Sequence, residues 1–314
     1  MVRHLLALVL ASLVPAAALA GALDDARAAL ALHKEGDVDG AVRLYSQAIA
    51  ADELEPHNLA VAFYNRGNAY SAKRRYDLAI ADFDFAVKLN PEYTIAYNNL
   101  ANAHVAAGDY DRAVAVYDIA IRLRPDYALG YKNRGNAHAA AGRHQAAIAD
   151  YDTAIGLDPR LASAYNNRGN ANFLVGRFAD ATRDFQAALE LDPSDAYTVL
   201  WLYLARGRAG DDGRAELIAH ARGLDLDRWP GPIARLYLGS LPNLRVLAEA
   251  NDPNPQIRRE RQCEAYFYLG AYHLMRGARE TAALMFRKAV GSRLGHLVEY
   301  RGARFELQRM GLAP

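Results

Sequence analysis

Eight asparagines in this chain fall on two columns of fixed spacing. Asn65, Asn99, Asn133 and Asn167 stand 34 residues apart, and Asn68, Asn102, Asn136 and Asn170 follow each of them three residues later. An amide side chain donates and accepts at once, so a row of amides matches the N–H and C=O groups of an extended peptide. Asn98 and Asn166 widen the row, and Lys132 supplies its lone positive charge. Chemistry of this kind reads backbone rather than charge and breaks no bond. The same spacing is equally compatible with amides that cap or bridge neighbouring helices.

A second pattern pairs opposite charges. Arg66, Arg134 and Arg168 are each followed 16 residues later by an acid, Asp82, Asp150 and Asp184. Elsewhere in the same register both positions are apolar: Ala28 with Leu44, Leu100 with Val116, and Leu269 with Met285. Because the copies serve as their own alignment, this joint change predicts that the two positions touch and that three of the pairs are ion pairs. The functional alternative is that the arginines read an acidic ligand.

Bond-breaking chemistry finds no foothold. There is no HExxH, no GxSxG, no GxxxxGK[ST], and no GxGxxG following a strand. His104 and His138 stand 34 residues apart, but in a slot expected to face the packing between repeats rather than a metal. The sequence points to no catalytic residue, no cofactor, no metal site and no enzymatic activity.

The elements that must hold these columns are written in the same period. Four copies begin at Ala60, Thr94, Ala128 and Ala162. Numbered from its first residue, each has an aromatic at position 4 (Phe63, Tyr97, Tyr131, Tyr165) and Gly or Ala at position 8 (Gly67, Ala101, Gly135, Gly169). These lie one turn apart on one helix face. Alanines at positions 20 and 27 flank Phe83, Tyr117, Tyr151 or Phe185 at position 24, which marks a second amphipathic helix. Gly108, Gly142 and Gly176 suit the turn between the two helices, and Pro91, Pro125, Pro159 and Pro193 stop the second. At 100° per residue, position 9 lies about 100° and position 6 about 160° from core position 8, so both asparagine columns project away from the hairpin interior. Looser copies run from Ala22 to about Pro56 and from Cys263 to about Gly295.

A 34-residue unit ending in Pro resembles the tetratricopeptide repeat. The resemblance implies an all-α fold, a right-handed helical-hairpin superhelix with extra C-terminal helices. In such a superhelix this side of the first helix lines a concave groove. The expected peptide-binding strip is therefore Asn65, Asn68, Asn98, Asn99, Asn102, Lys132, Asn133, Asn136, Asn166, Asn167 and Asn170, with apolar edges from Val61, Ile95, Leu129 and Leu174. Tetratricopeptide domains that bind chaperone tails clamp a terminal carboxylate with several Lys and Arg residues, whereas here only Lys132 is in place. The expected division is a repeat array over 21–195 in five repeats, a helical connecting region with loops over 196–262, and a hairpin with a capping helix over 263–314. Phe267, Tyr268 and Met275 are expected to pack against a terminal helix around His296 to Met310 or to offer an apolar partner site.

The C-terminal half narrows the resemblance. Leu200-Trp201-Leu202-Tyr203-Leu204-Ala205, Trp229, Leu236-Tyr237-Leu238-Gly239, Phe267-Tyr268-Leu269-Gly270 and Val298-Glu299-Tyr300-Arg301 occur in that order. The chain thereby resembles the NlpI group of bacterial envelope lipoproteins. That resemblance implies a non-enzymatic periplasmic adaptor that forms homodimers, gathers peptidoglycan hydrolases and presents an endopeptidase to a tail-specific protease. One departure is clear: Leu19-Ala20-Gly21 is followed by Ala22, where a lipid-acceptor Cys would stand, so no lipid anchor is expected.

Residues 1–20, with Arg3, an apolar run, Pro15 and Ala18-Leu19-Ala20, read as a secretory signal peptide. The alternative is an uncleaved membrane anchor, because the charge-free run continues to Leu23. With a bacterial-type signal the expected destination, soluble after cleavage, is the periplasm or outside the cell, where Cys263, the single cysteine, has no intrachain disulfide partner. The composition, 52% hydrophobic and 23% charged with a net charge of +1, is that of an ordinary soluble protein and offers no basic field for nucleic acid. A generic component of envelope assembly or export machinery fits the same features, and an enzyme would need chemistry within 196–262, where no constellation supplies it.

Overall fold

The computed structural model describes residues 21–314 and holds helices and no strand among them. The signal and anchor readings of residues 1–20 lie outside the described residues. The chain forms two compact units, one ending at Leu123 and the other beginning at Arg124. The first contains three hairpins: α1 (Ala22–Glu35) with α2 (Val38–Ala50), α3 (Pro56–Ala72) with α4 (Tyr76–Leu89), and α5 (Thr94–Ala106) with α6 (Tyr110–Leu123). The second opens with α7 (Ala128–Ala140) and α8 (His144–Leu157), then α9 (Ala162–Leu174) and α10 (Phe178–Leu191). It continues through α11 (Ala196–Ala209), α12 (Arg214–Ala221), α13 (Gly231–Leu238), α14 (Asn243–Glu249), α15 (Pro255–Met275), α16 (Arg279–Gly291) and α17 (Val298–Arg309).

Close helix approach explains the small residue at position 8. A Cβ added to Gly67, Gly135 or Gly169 would lie 2.7–2.8 Å from the ring of Phe83, Tyr151 or Phe185, the position 24 aromatic of the same hairpin. Those rings are buried, and the alanines that flank them on the second helix are fully enclosed. The turns between helices need left-handed backbone, and Gly108, Gly142 and Gly176 supply it at φ +84°, +77° and +81°. In the hairpin of α3 and α4 the same place is taken by Arg74 at φ +57°, a conformation that costs an L-residue roughly 1–2 kcal/mol.

The connecting region is helical. Asp195 caps α11 by accepting from the N–H groups of Tyr197 and Thr198. Helix α15 begins at Pro255, ahead of the looser copy that starts at Cys263. Asn254-Pro255, which reads as a loop in sequence, forms an N-cap and first-turn pair: the Asn254 side chain accepts from the N–H groups of Gln256 and Ile257. The core of this unit is aromatic. Trp201, 1% exposed, lies with ring centroids 5.0 Å from Phe173 and 5.1 Å from Phe267. Helix α17 packs on α15, α16 and α9. Gly302 permits this, since a Cβ there would meet Phe267 at 2.7 Å. Phe267 and Tyr268 are thus buried and Met275 is half-buried.

Candidate interaction surface

Within each unit the two asparagine columns bond to each other. Asn99 Nδ2 donates to Asn68 Oδ1 at 2.8 Å and to the Tyr64 hydroxyl at 3.2 Å. In the second unit Asn167 Nδ2 donates to Asn136 Oδ1 at 2.8 Å. The position 6 amide of one hairpin therefore reaches back to the position 9 amide of the hairpin before it. In two hairpins the position 24 tyrosine adds a further donor: Tyr117 to Asn102 Oδ1 at 2.5 Å and Tyr151 to Asn136 Oδ1 at 2.8 Å. Each amide has two N–H groups and two lone pairs, so these bonds leave capacity beyond the ladder.

The remaining strip residues are unequal. Asn98 is buried and gives Nδ2 to Asn99 Oδ1 at 3.2 Å. Asn65 is half-buried and makes no side-chain hydrogen bond among the described residues, while Asn102 is exposed. Asn166 donates to Thr198 Oγ1, and Asn170 Nδ2 donates to Asn166 Oδ1 at 3.0 Å. Asn170 Oδ1 is buried without a partner. The sequence explains it: Phe185 at position 24 has no hydroxyl, and Trp201 stands where the next helix would offer an amide. Asn133 and Lys132 are half-buried, and burial pushes the Lys132 ammonium below its ordinary range. Ile95 and Leu129 are exposed apolar edges and Val61 is half-buried, whereas Leu174 is buried and offers none. A cleft of about 180 Å³ opens where Ser163, Asn166, Asn167, Asp192, Asp195 and Thr198 meet.

The charge pairs lie across their hairpins. Arg66 Nε and Nη2 donate to Asp82 at 2.8 Å each, and Arg134 Nε and Nη2 donate to Asp150 at 2.9 and 2.6 Å. Arg168 Nη2 meets Asp184 Oδ1 at 2.5 Å. These bidentate contacts occupy guanidinium groups that are largely enclosed, each also stacked near the position 4 ring of its own helix, at 5.5 Å for Phe63 and Tyr131 and 5.6 Å for Tyr165. Burial acts against the Arg66 charge, but the hydrogen bond and charge of Asp82 outweigh it and hold the guanidinium above its ordinary range. For Asp184 burial wins and pushes the carboxyl up, despite Arg168 and the bond from Asn172 at 2.9 Å.

Sequence reasoning missed the second partner of these arginines. Arg66 Nη1 donates to Ser46 Oγ at 3.0 Å and Arg168 Nη1 to Asp152 Oδ1 at 2.6 Å. Both acceptors sit at position 25 of the preceding hairpin, so Arg66 and Arg168 each tie two hairpins together. A column of Ser46, Asp84, Asp118 and Asp152 was there to be read. Among the described residues no cluster of three or more His, Cys, Asp or Glu side chains could hold a metal ion.

These hairpins define a class. Residues 64–128, 135–176 and 162–195 match three family models described as tetratricopeptide repeats, and the chain carries tetratricopeptide repeats over those residues. Repeats of this kind mediate protein–protein interaction. Among curated proteins it is similar to the lipoprotein NlpI homolog of Haemophilus influenzae, 36% identical over 119 residues. That match covers 37% of this chain and 38% of the relative, so well under half of either. Among solved structures it is similar to a MamA protein, with 27% identity and a TM-score of 0.50, over 56% of this chain and 94% of that one. The fold of residues 41 to the end of MamA from Desulfovibrio magneticus RS-1 matches with a TM-score of 0.51 at 20% identity, over 56% of this chain and 97% of that one.

Proposed function

We propose that this protein is a non-enzymatic adaptor of the bacterial envelope that holds protein partners along the asparagine strip of its hairpins. The observation that carries the reading is the 36% identity to an NlpI lipoprotein homolog, placed beside an amide-lined surface suited to extended backbone. Partners of the NlpI type, peptidoglycan endopeptidases and a tail-specific protease, are the first clients to test, and a homodimer is the expected assembly. The missing lipid-acceptor Cys favours a periplasmic form without a lipid anchor. No helix among the described residues is long and apolar enough to cross a membrane.

The test is capture of envelope proteins by the full chain, with mass-spectrometric identification, comparing the native sequence with Asn99→Ala plus Asn133→Ala. Enrichment of a cell-wall hydrolase or its protease, lost in the double variant while circular dichroism is unchanged, is the expected result. Enrichment of export or assembly components instead would replace this reading with the generic one. Equal capture by both forms would remove the asparagine strip and leave the adaptor role.

A further inference from the structure

Two carboxyl groups sit inside the aromatic core of the second unit. Glu264, on α15, is 7% exposed, and its Oε2 accepts from the Tyr197 hydroxyl at 2.9 Å and from Trp229 Nε1 at 2.6 Å. Glu299, in the first turn of α17, is 3% exposed, and its Oε1 accepts from the Tyr268 hydroxyl at 3.2 Å. The hydroxyl and indole donors of these bonds are neutral, and among the described residues no salt bridge reaches either carboxylate. A buried carboxylate held by neutral donors alone is costly, and a second one nearby raises the cost of ionising both.

We propose that Glu264 and Glu299 form a proton-operated latch that sets how firmly α17 sits on α11 and α15. With Glu299 protonated the helix is held; with both groups ionised its first turn loosens. The titratable neighbours come from several directions. Tyr268 and Cys263 face the pair from α15 and Tyr197 from α11. Glu264 also feels Glu260 and Arg261 of its own helix. Arg261 is engaged with Asp252 at 3.0 Å, and Glu260 lies 3.8 Å from His296.

The direction of the response follows from linkage. Burial first, and the charge of Glu264 second, push the Glu299 carboxyl from 4.5 up to about 7. A carboxyl raised in the fold contributes stability that is full below its ordinary value and is lost as pH rises through the raised one. The loss therefore falls between about pH 4.5 and pH 7. Helix α17 covers the aromatic core through Gly302 against Phe267 and Trp201, and through Phe305, whose ring centroid lies 6.4 Å from that of Phe173. Loosening its first turn weakens the attachment of this cover.

Amide hydrogen exchange of the segment 298–309 in the full chain, corrected for the intrinsic pH dependence of exchange, tests the latch. Opening is expected to rise on the order of tenfold or more between pH 5 and pH 8 in the native protein. Glu299→Gln should remove most of this rise and keep the segment protected at pH 8. Glu264→Gln should move the transition to lower pH, which preserves a test if the first variant fails to fold. A native segment whose protection does not change with pH, or a rise that survives unchanged in both variants and so traces to another group, would overturn the proposal.

Discussion

Arg168 holds two acids at once, Asp184 of its own hairpin at 2.5 Å and Asp152 of the preceding one at 2.6 Å. One guanidinium thus closes a hairpin and joins it to its neighbour. Arg168→Ala leaves Asp184, 4% exposed, without its cation and is expected to cost ~2–4 kcal/mol. Arg168→Leu with Asp184→Val, which installs the pair found at Leu100 and Val116, should recover most of that loss. Asp152→Ala, at an acid 56% exposed, should cost under ~1 kcal/mol. Urea unfolding of the three variants checks this, and a double variant as unstable as the single one would sink the account.

Phe185→Tyr should stabilise the fold. A hydroxyl at position 24 reaches the position 9 amide in Tyr117 with Asn102 and in Tyr151 with Asn136, and Asn170 Oδ1 is the buried acceptor without a partner. The expected gain is ~0.5–1.5 kcal/mol in denaturant unfolding. A neutral or destabilising outcome would mean that the orphan oxygen lies outside the reach of the ring.

Arg74→Gly relieves left-handed backbone at φ +57° on an exposed side chain that makes no hydrogen bond among the described residues. A gain of ~0.5–1 kcal/mol is expected, since glycine gives back part of the relief as unfolded-state entropy. Differential scanning calorimetry should place the transition about 1–3 °C higher.

Gly135→Ala has the opposite sign. The added methyl would lie 2.7 Å from the buried Tyr151 ring, and a loss of ~1–3 kcal/mol is expected. The contrast with the third hairpin, where Ala101 already faces Tyr117, makes the reverse change Ala101→Gly a useful comparison. If Gly135→Ala is neutral, the rings have room that the hairpin geometry does not show.

Cys263 is 1% exposed, donates weakly to the Ala289 carbonyl at 3.5 Å, and is pushed up to about 11 by burial. The native protein should therefore resist a thiol reagent at pH 8 and react with one equivalent once unfolded. Fast native labelling would show that α15 and α16 separate readily.

Much of this was legible in the amino-acid sequence because a repeat tests itself. Position 8 is small wherever position 24 is a ring, and Arg appears at position 7 only with Asp at position 23, so both contacts could be read without coordinates. The position 25 tie was harder, since Ser46 and Asp152 serve the next copy rather than their own. The start of α15 was hidden by Asn254-Pro255, a dipeptide that serves turns and helix starts alike. Glu264 and Glu299 gave no signal at all: a lone acid between apolar residues looks like a solvated face, and Tyr197 meets Glu264 across 67 residues. The strip of asparagines was found by spacing, but spacing does not say that the amides spend part of their valence on one another.

That mutual bonding also gives the stack within each unit a direction. A position 6 amide donates backward and a position 9 amide accepts, so neighbouring hairpins couple head to tail, as monomers do in a polar filament. Such a row begins and ends differently. In the first unit Asn65 makes no side-chain hydrogen bond among the described residues, with Leu30 where the preceding amide would be; in the second, Asn170 keeps an open oxygen, with Trp201 where the next amide would come. A further hairpin of the same sentence, grafted after Asp195, would arrive with the nitrogen that this oxygen lacks, but only by parting Phe173 and Asn166 from Trp201 and Thr198, which close the row at that end.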